Sequence, residues 1–162
     1  LERKRKDFLN GRKRENKGYI FIPLQLPRDT NIIHHSPYKD MQSFIDHVEE
    51  KFKDEDVIIK RHPYDEAEYE STFGIVTEGS SVDYVLGAKL VYGINSTVLL
   101  EAALMGVPVE AIGEGFLKKH SGNHEKLLAA LVDREIPTNS IDLDYWLEPV
   151  LEKVQKAKGA RK

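Results

Sequence analysis

The 162-residue sequence contains no cysteine, no long apolar run and no glycine-rich phosphate-binding motif. Without cysteine, the chain cannot form disulfides, zinc–thiolate sites or a cysteine nucleophile, and its composition fits a reducing compartment. No run reaches about 18 apolar residues and no signal peptide begins the chain, so we expect a cytoplasmic protein. The lack of G-x-G-x-x-G and Walker sequences argues against dinucleotides and nucleoside triphosphates as ligands.

What remains is the composition of one globular domain with an uneven distribution of charge. Hydrophobic residues make up 40% and charged residues 31% of the chain, whose net charge is −3. Residues 1–17 hold eight Lys/Arg and three acids, so this basic N-terminal arm carries +5 and the rest −8. Such an arm can contact anionic lipid or nucleic acid. Without interleaved aromatic residues we expect no nucleic-acid partner, but a solvated linker or a helix leading to an upstream domain. The first residue is leucine rather than methionine, as expected of a fragment.

After residue 17, short apolar runs alternate with segments of helical periodicity. The predicted strands are 18–26, 57–60, 73–77, 89–94 and 107–112. The predicted helices are 41–52, 81–86, 96–105, 124–133 and approximately 143–158, and a polar loop joins the first strand to the first helix. Strands alternating with helices form a parallel sheet that is covered on both faces. The predicted fold class is therefore α/β, a Rossmann-like doubly wound parallel sheet over residues 18–141.

Residues 142–162 predict an amphipathic helix followed by a basic tail. Pro149 must kink this helix or begin a second one. The apolar stripe can pack on the core of this domain, on a neighbouring domain or on a membrane surface. Its members are Leu143, Trp146, Leu147, Val150, Leu151 and Val154.

Ligands of doubly wound sheets bind outside the carboxyl ends of the strands. That rule directs attention to the loops 25–31, 61–64, 78–81, 94–97 and 113–116. In the fourth loop Asn95 or Ser96 can cap the following helix, whose N-terminus, with the hydroxyls of Ser96 and Thr97, is a phosphate site. Glu101, one turn later, could reach ribose hydroxyls. Capping alone would also explain these residue types.

Two other loops carry residues that could act in chemistry. Pro63 forces the chain to turn sharply, so His62 projects at the sheet edge, where it can donate to a phosphate or hold a proton for a leaving group. A surface histidine in a turn is the alternative. Gln25 and Asp29 follow the first strand, and a carboxylate at that edge can act as base, nucleophile or hydroxyl acceptor. Lys60 and Arg61 add positive charge nearby, although the alternation of side chains along a strand predicts that they do not all face the site.

Metal binding is not expected. The adjacent pair His34 and His35 and the pair His120 and His124 are the histidine groupings, and residues 121–123 (SGN) interrupt any helix that would align the second pair. No carboxylate cluster suits magnesium.

Three segments together resemble the capsule polysaccharide biosynthesis proteins, which include the retaining β-Kdo transferases of bacterial capsule and lipopolysaccharide synthesis. They are residues 25–29 (QLPRD), 60–63 (KRHP) and 91–116 (VYGINSTVLLEAALMGVPVEAIGEGF). The resemblance covers about residues 18–116 and implies the nucleotide-binding half of a two-domain GT-B glycosyltransferase. After Gly113 the family often continues with Pro-Phe-Tyr, whereas this chain reads EGFLK, so acceptor or sugar contacts in that loop stay unassigned.

The resemblance implies a role for each candidate residue. Asp29 would be the nucleophile that forms a covalent adduct with the anomeric carbon of Kdo, and Gln25 would support its loop. The nucleotide-binding set, with CMP phosphate at the histidine and the helix start and ribose at the glutamate, would be His62, Pro63, Asn95, Ser96, Thr97 and Glu101.

The resemblance also implies partners. The donor would be a CMP-sugar, with no metal or cofactor, and the acceptor a saccharide or glycolipid. The family's amino-terminal acceptor domain has no counterpart in this sequence, which predicts a domain inactive alone that works with a partner chain or homodimer, with peripheral contact at the inner face of the membrane. Two alternatives stay open: another CMP- or CDP-dependent GT-B transferase, using sialic acid or glycerol phosphate, and a non-catalytic nucleotide-binding module.

Overall fold

The computed structural model describes residues 1–134, so the predicted helix of 142–162 with its apolar stripe lies outside the described residues. Leu1–Ala130 form one compact unit, which contains the sheet and every candidate site residue, and Leu131–Lys162 form a separate unit. Five strands build one wholly parallel sheet in the order β3-β2-β1-β4-β5. They are β1 (Tyr19–Pro23), β2 (Val57–Lys60), β3 (Ile75–Val76), β4 (Ala88–Gly93) and β5 (Val109–Ala111).

Seven helices accompany these strands within residues 1–134. They are α1 (Glu2–Leu9), α2 (Thr30–His35), α3 (Met41–Lys51), α4 (Ser81–Gly87), α5 (Thr97–Leu104), α6 (Phe116–Lys119) and α7 (His124–Arg134). Every predicted strand is present, and so are the four predicted helices that fall on described residues. The predicted doubly wound α/β class is therefore confirmed.

Both faces of the sheet are buried, as parallel sheets require. On β1 the side chains alternate: Ile20 and Ile22 belong to one apolar cluster and Phe21 to the other. The cluster of Ile20 and Ile22 is covered by α2 and α3, while that of Phe21 is covered by α4, α5 and α7. The three side chains on β1 are at most 2% exposed, so this strand is the centre of the core.

The first 17 residues, predicted as a basic arm or linker, contain α1 and contact the elements around the sheet. Arg5 on α1 donates from Nε to the Leu104 carbonyl (2.6 Å) and from Nη2 to the Glu125 carboxylate (2.9 Å). Further along, the Glu15 N–H donates to the Leu86 carbonyl and the Lys17 N–H to the Gly87 carbonyl. The Arg5 side chain and two backbone N–H groups therefore attach this stretch to the rest of the unit by hydrogen bonds to carbonyls and to one carboxylate.

The prediction that a polar loop joins β1 to α3 is wrong, because this segment contains the helix α2. Asp29 caps this helix by accepting a hydrogen bond from the Asn31 N–H. Six residues are too short to show helical periodicity, yet Ile32 is fully buried and anchors the helix to the core. The sequence signal for this helix was its N-cap, an aspartate directly before the segment 30–35 (TNIIHH).

The order of the strands indicates where a ligand is expected to bind. The chain runs from β1 to β2 and β3 on one side, then returns to β4 and β5 on the other. In such sheets a crevice opens outside the carboxyl ends of the two strands where the order reverses, which here are β1 and β4. Within the described range of the chain, no helix has both the length and the apolar character needed to cross a membrane.

Candidate functional site

At the β1/β4 crevice, Gln25 and Asn95 join the two loops directly. The Asn95 backbone N–H donates to Gln25 Oε1 (3.2 Å), and Gln25 Nε2 lies 3.4 Å from Asn95 Oδ1. Gln25 is only 5% exposed, so its amide must find partners within the protein. These two side chains therefore bridge strands that lie far apart in sequence.

Gln25 also holds the carboxylate of Asp29, four residues later. Its Nε2 donates to Asp29 Oδ2 (2.8 Å), while the Asn31 N–H donates to Asp29 Oδ1 (2.9 Å). Asp29 has no ion pair among the described residues. Each carboxylate oxygen has about two lone pairs, so both oxygens can still accept or attack. The half-buried Asp29 carboxylate is thus fixed in orientation by neutral donors.

Asn95 extends this set of contacts to two further segments. Its Nδ2 donates to Asn31 Oδ1 (3.3 Å) and to the Glu114 carbonyl (3.2 Å) in the loop after β5. We call Gln25, Asp29, Asn31 and Asn95 the switch-point network. Sequence reasoning missed Asn31, although its position two residues after a capping aspartate was a usable signal.

The first turn of α5 lies beside this network. Ser96 is the N-cap, and its Oγ accepts from the Val98 N–H (3.3 Å), which leaves the hydroxyl proton free to donate elsewhere. Thr97 is exposed at the same helix start. The Leu99 N–H also has a partner, the Ser96 carbonyl (3.0 Å), so this helix start offers an anion the Ser96 hydroxyl and the positive end of the helix dipole. A serine cap and an anion site are compatible at this position.

A cleft of about 260 Å³ opens against this helix start. Its walls come from α5 on one side and from the loop after β5 on the other. The residues that shape its two sides include Ser96, Thr97, Leu100, Gly113, Glu114 and Phe116. The candidate phosphate residues Ser96 and Thr97 therefore face a real cleft, which Asn95 also lines.

Asn95, Ser96 and Thr97 are the candidate residues that line this cleft, and Glu101 does not. It sits on α5 and is half-buried, and burial raises the pKa of its carboxyl. A carboxyl that is costly to ionise is held near apolar neighbours rather than near cations.

His62 lies two residues beyond β2, the strand next to β1, and has a defined tautomer. Its Nδ1 accepts the Tyr64 backbone N–H (3.2 Å), so in the neutral ring the proton is on Nε2. The ring contacts the Tyr64 ring at a centroid distance of 5.7 Å, and Pro63 between them is exposed. His62 therefore carries a donor nitrogen at the carboxyl edge of the sheet, but it makes no hydrogen bond to the switch-point network.

Lys60 and Arg61, expected to add positive charge near this edge without both facing the site, are engaged with backbone carbonyls. Lys60 is 3% exposed, and its Nζ donates to the carbonyls of Thr77 (3.1 Å) and Glu78 (3.3 Å). Arg61 donates to the Ala67 carbonyl (3.1 Å). Both side chains stabilise loops, because their hydrogen-bond partners are backbone carbonyls of neighbouring segments.

A larger cavity, about 890 Å³, lies between α3 and residues 68–72. Its lining contains five acidic residues and no basic one: Asp40, Asp46, Glu49, Glu68 and Glu70. An anionic nucleotide would be repelled from such a cavity. Volume alone therefore does not locate the site.

One histidine of each pair contacts an oxygen atom of a neighbouring residue. His124 Nε2 lies 3.0 Å from the Leu117 carbonyl oxygen, and His35 Nδ1 lies 3.9 Å from a Glu114 carboxylate oxygen. Within residues 1–134 no group of three or more His, Cys, Asp or Glu side chains is arranged to hold a metal ion.

Known proteins resemble this chain in fold and in sequence. KpsC from Thermosulfurimonas dismutans, described as a beta Kdo 2,7 transferase, has the same fold with a TM-score of 0.56 and 24% identity, over 74% of this chain and 42% of that one. Protein FixF from Sinorhizobium fredii (strain NBRC 101917 / NGR234) is 34% identical over 110 residues, which are 60% of this chain and 27% of FixF. The chain thus spans less than half the length of either relative. The model of the capsule polysaccharide biosynthesis protein family matches residues 2–119, and the chain belongs to that family.

Proposed function

We propose that this chain is the donor-binding part of a glycosyltransferase that takes CMP-Kdo, with Asp29 as its nucleophile. The observation that supports the proposal is the switch-point network: a carboxylate is oriented by Gln25 and lies beside a helix start that can bind phosphate. Family membership and the fold shared with a Kdo transferase agree with it.

The phosphate would be bound without a metal ion. The Ser96 hydroxyl, at the positive end of the α5 dipole, and the Nε2–H of His62 are donors at the carboxyl edge of the sheet. Donors and a helix N-terminus stabilise the charge that develops on a leaving phosphate. No step then needs Lys60 or Arg61, whose cations are engaged with carbonyls.

Asp29 would act in a double displacement. One of its oxygens attacks the anomeric carbon, the bond from that carbon to the phosphate breaks, and CMP leaves with the bonding electrons. The acceptor hydroxyl then attacks the same carbon and releases the carboxylate, so the configuration is retained overall. Gln25 and the Asn31 N–H would keep the carboxylate aligned during both steps.

The proposal includes partners. A CMP-sugar is the donor and a saccharide or glycolipid the acceptor, and no resident cofactor takes part. Acceptor contacts and the base for the second step would come from a further domain or a partner chain. We place this assembly in the cytoplasm, with contact at the inner face of the membrane.

Calorimetric titration with CMP tests the phosphate site. Ser96→Ala and His62→Ala should each weaken CMP binding by about 1–3 kcal/mol, the contribution of a hydrogen bond to a charged group. Ser80→Ala is the matched control, because Ser80 caps α4 in the same way, accepting from the Val82 N–H at 3.3 Å. Wild-type affinity in both site variants would contradict the assignment.

Intact-protein mass spectrometry tests the nucleophile. Incubated with CMP-Kdo and the amino-terminal partner half, but with no acceptor, the wild-type protein should gain one Kdo at a peptide containing Asp29. Asp29→Asn should abolish the adduct, whereas Asp40→Asn, at the capping aspartate of α3, should retain it. An adduct that persists in Asp29→Asn, or that maps to another peptide, would remove Asp29 from this role.

A further inference from the structure

Phe116 is a large aromatic side chain that the core does not use. It begins α6 and is 67% exposed, whereas the next residue, Leu117, is 8% exposed and packs in the core. Phe116 lines the cleft of about 260 Å³ opposite Thr97 and Leu100 of α5. An exposed aromatic ring in the wall of a cleft is poised to bind a flat ligand.

The charges around the cleft indicate where the phosphate of a ligand would bind and where an uncharged ring would bind. Glu114 and Lys118 are its acidic and basic lining residues, and the Lys118 ammonium already donates to the Ile112 carbonyl (2.9 Å). The start of α5, at one side of the cleft, can bind a phosphate. The remaining wall suits an uncharged ring, since it offers no unengaged cation for an anion.

The size of the cleft limits the ring. About 260 Å³ is slightly below the roughly 300–1,000 Å³ of pockets that enclose drug-sized ligands. One base with part of its ribose therefore fits, and the remainder of a nucleotide sugar would extend beyond the cleft.

The loop that carries Phe116 is fixed in place. The Gly113 N–H donates to the Ile94 carbonyl (2.9 Å), and the Glu114 N–H donates to the His35 carbonyl (2.7 Å). A wall held in this way binds with little loss of conformational freedom.

We propose that Phe116 is the stacking platform for the pyrimidine base of the nucleotide whose phosphate binds at Ser96 and Thr97. The proposal rests on the proposed function, because it places the rest of that nucleotide. Phe116 then determines affinity for the base, while α5 determines affinity for the phosphate.

Parallel titrations with CMP and ribose 5-phosphate test this division. Phe116→Ala should weaken CMP binding about 5- to 150-fold, the factor that base–aromatic stacking supplies, and leave ribose 5-phosphate binding unchanged. Phe116→Trp should restore CMP binding, and CMP should quench the new indole fluorescence. Phe8→Ala, at an exposed phenylalanine of α1, is the matched control and should change neither affinity.

The outcomes are distinguishable. Wild-type CMP affinity in Phe116→Ala, or an equal loss for CMP and ribose 5-phosphate, overturns the stacking role and leaves the proposed function standing. Wild-type protein that binds neither compound refutes the proposed function and this proposal with it.

Discussion

Replacing Gln25 by leucine should be among the most costly single changes at the candidate site. Leucine has a similar volume but no polar atoms, and Gln25 is 5% exposed. The change would remove the acceptor of the Asn95 N–H and the donors to Asp29 Oδ2 and Asn95 Oδ1. Water has little access to replace them.

The magnitude follows from the groups that lose their partners. A buried polar group left unsatisfied costs about 1–3 kcal/mol, and a hydrogen bond to a charged group contributes about 1.5–3 kcal/mol. Asp29 Oδ2 is partly exposed and regains some solvation. We therefore expect Gln25→Leu to lower the free energy of unfolding by about 2–4 kcal/mol.

Urea denaturation would measure this loss, and the chain supplies a matched control. Gln42 donates to Asp46 Oδ1 (2.9 Å) with the same four-residue spacing and exchanges two hydrogen bonds with the Glu70 backbone, but these bonds are exposed to solvent. Gln42→Leu should cost under about 1 kcal/mol, because water can replace its hydrogen bonds. Equal effects of the two substitutions would refute the claim that burial makes the Gln25 contacts costly to lose.

Two further predictions concern the cleft wall and α5. Gly113→Ala should lower the free energy of unfolding by about 1–3 kcal/mol, because the added Cβ would lie 2.6 Å from Ile94 Cγ2 and 2.9 Å from the Ile94 carbonyl oxygen. Gly74→Ala, with open space around its Cβ position, should stay within about 0.5 kcal/mol in the same urea titration. Burial raises the pKa of Glu101, so the folded state holds this proton more tightly than the unfolded state and stability falls as pH rises from 4.5 through the raised pKa. Glu101→Gln should remove that loss, so its stability relative to wild type should be greater at pH 7 than at pH 4; an equal difference at both pH values would contradict the burial argument.

The sheet was predictable because its strands are short β-branched runs with turns between them. Runs such as 57–60 (VIIK) differ so clearly from the helical segments that their type could be assigned locally. The helices α2 and α6 were missed because six and four residues are too few to show helical periodicity. Their formation depends on caps and on tertiary contacts such as the burial of Ile32.

Site residues were predictable as a set of loop positions, not as a set of contacts. Strand topology put Gln25, Asp29 and Asn95 at one edge, but their hydrogen bonds depend on the pairing of β1 with β4. Lys60 shows the limit of such reasoning: it lies at the same edge, yet its ammonium is buried against carbonyls. Only the side-chain direction at the end of β2 decides that outcome.

The bond between Gln25 and Asn95 joins residues 70 positions apart in the chain, with β2, β3 and β4 formed between them. Contacts of such long sequence separation require the closure of a large loop, so they form after local structure and slow the folding of the chain. No helix, hairpin or isolated βαβ unit of this chain contains both halves of the contact. The aspartate and the helix start are therefore aligned only in a chain that has completed its sheet, so a partly synthesised or partly unfolded chain has the residues of the site without the site itself.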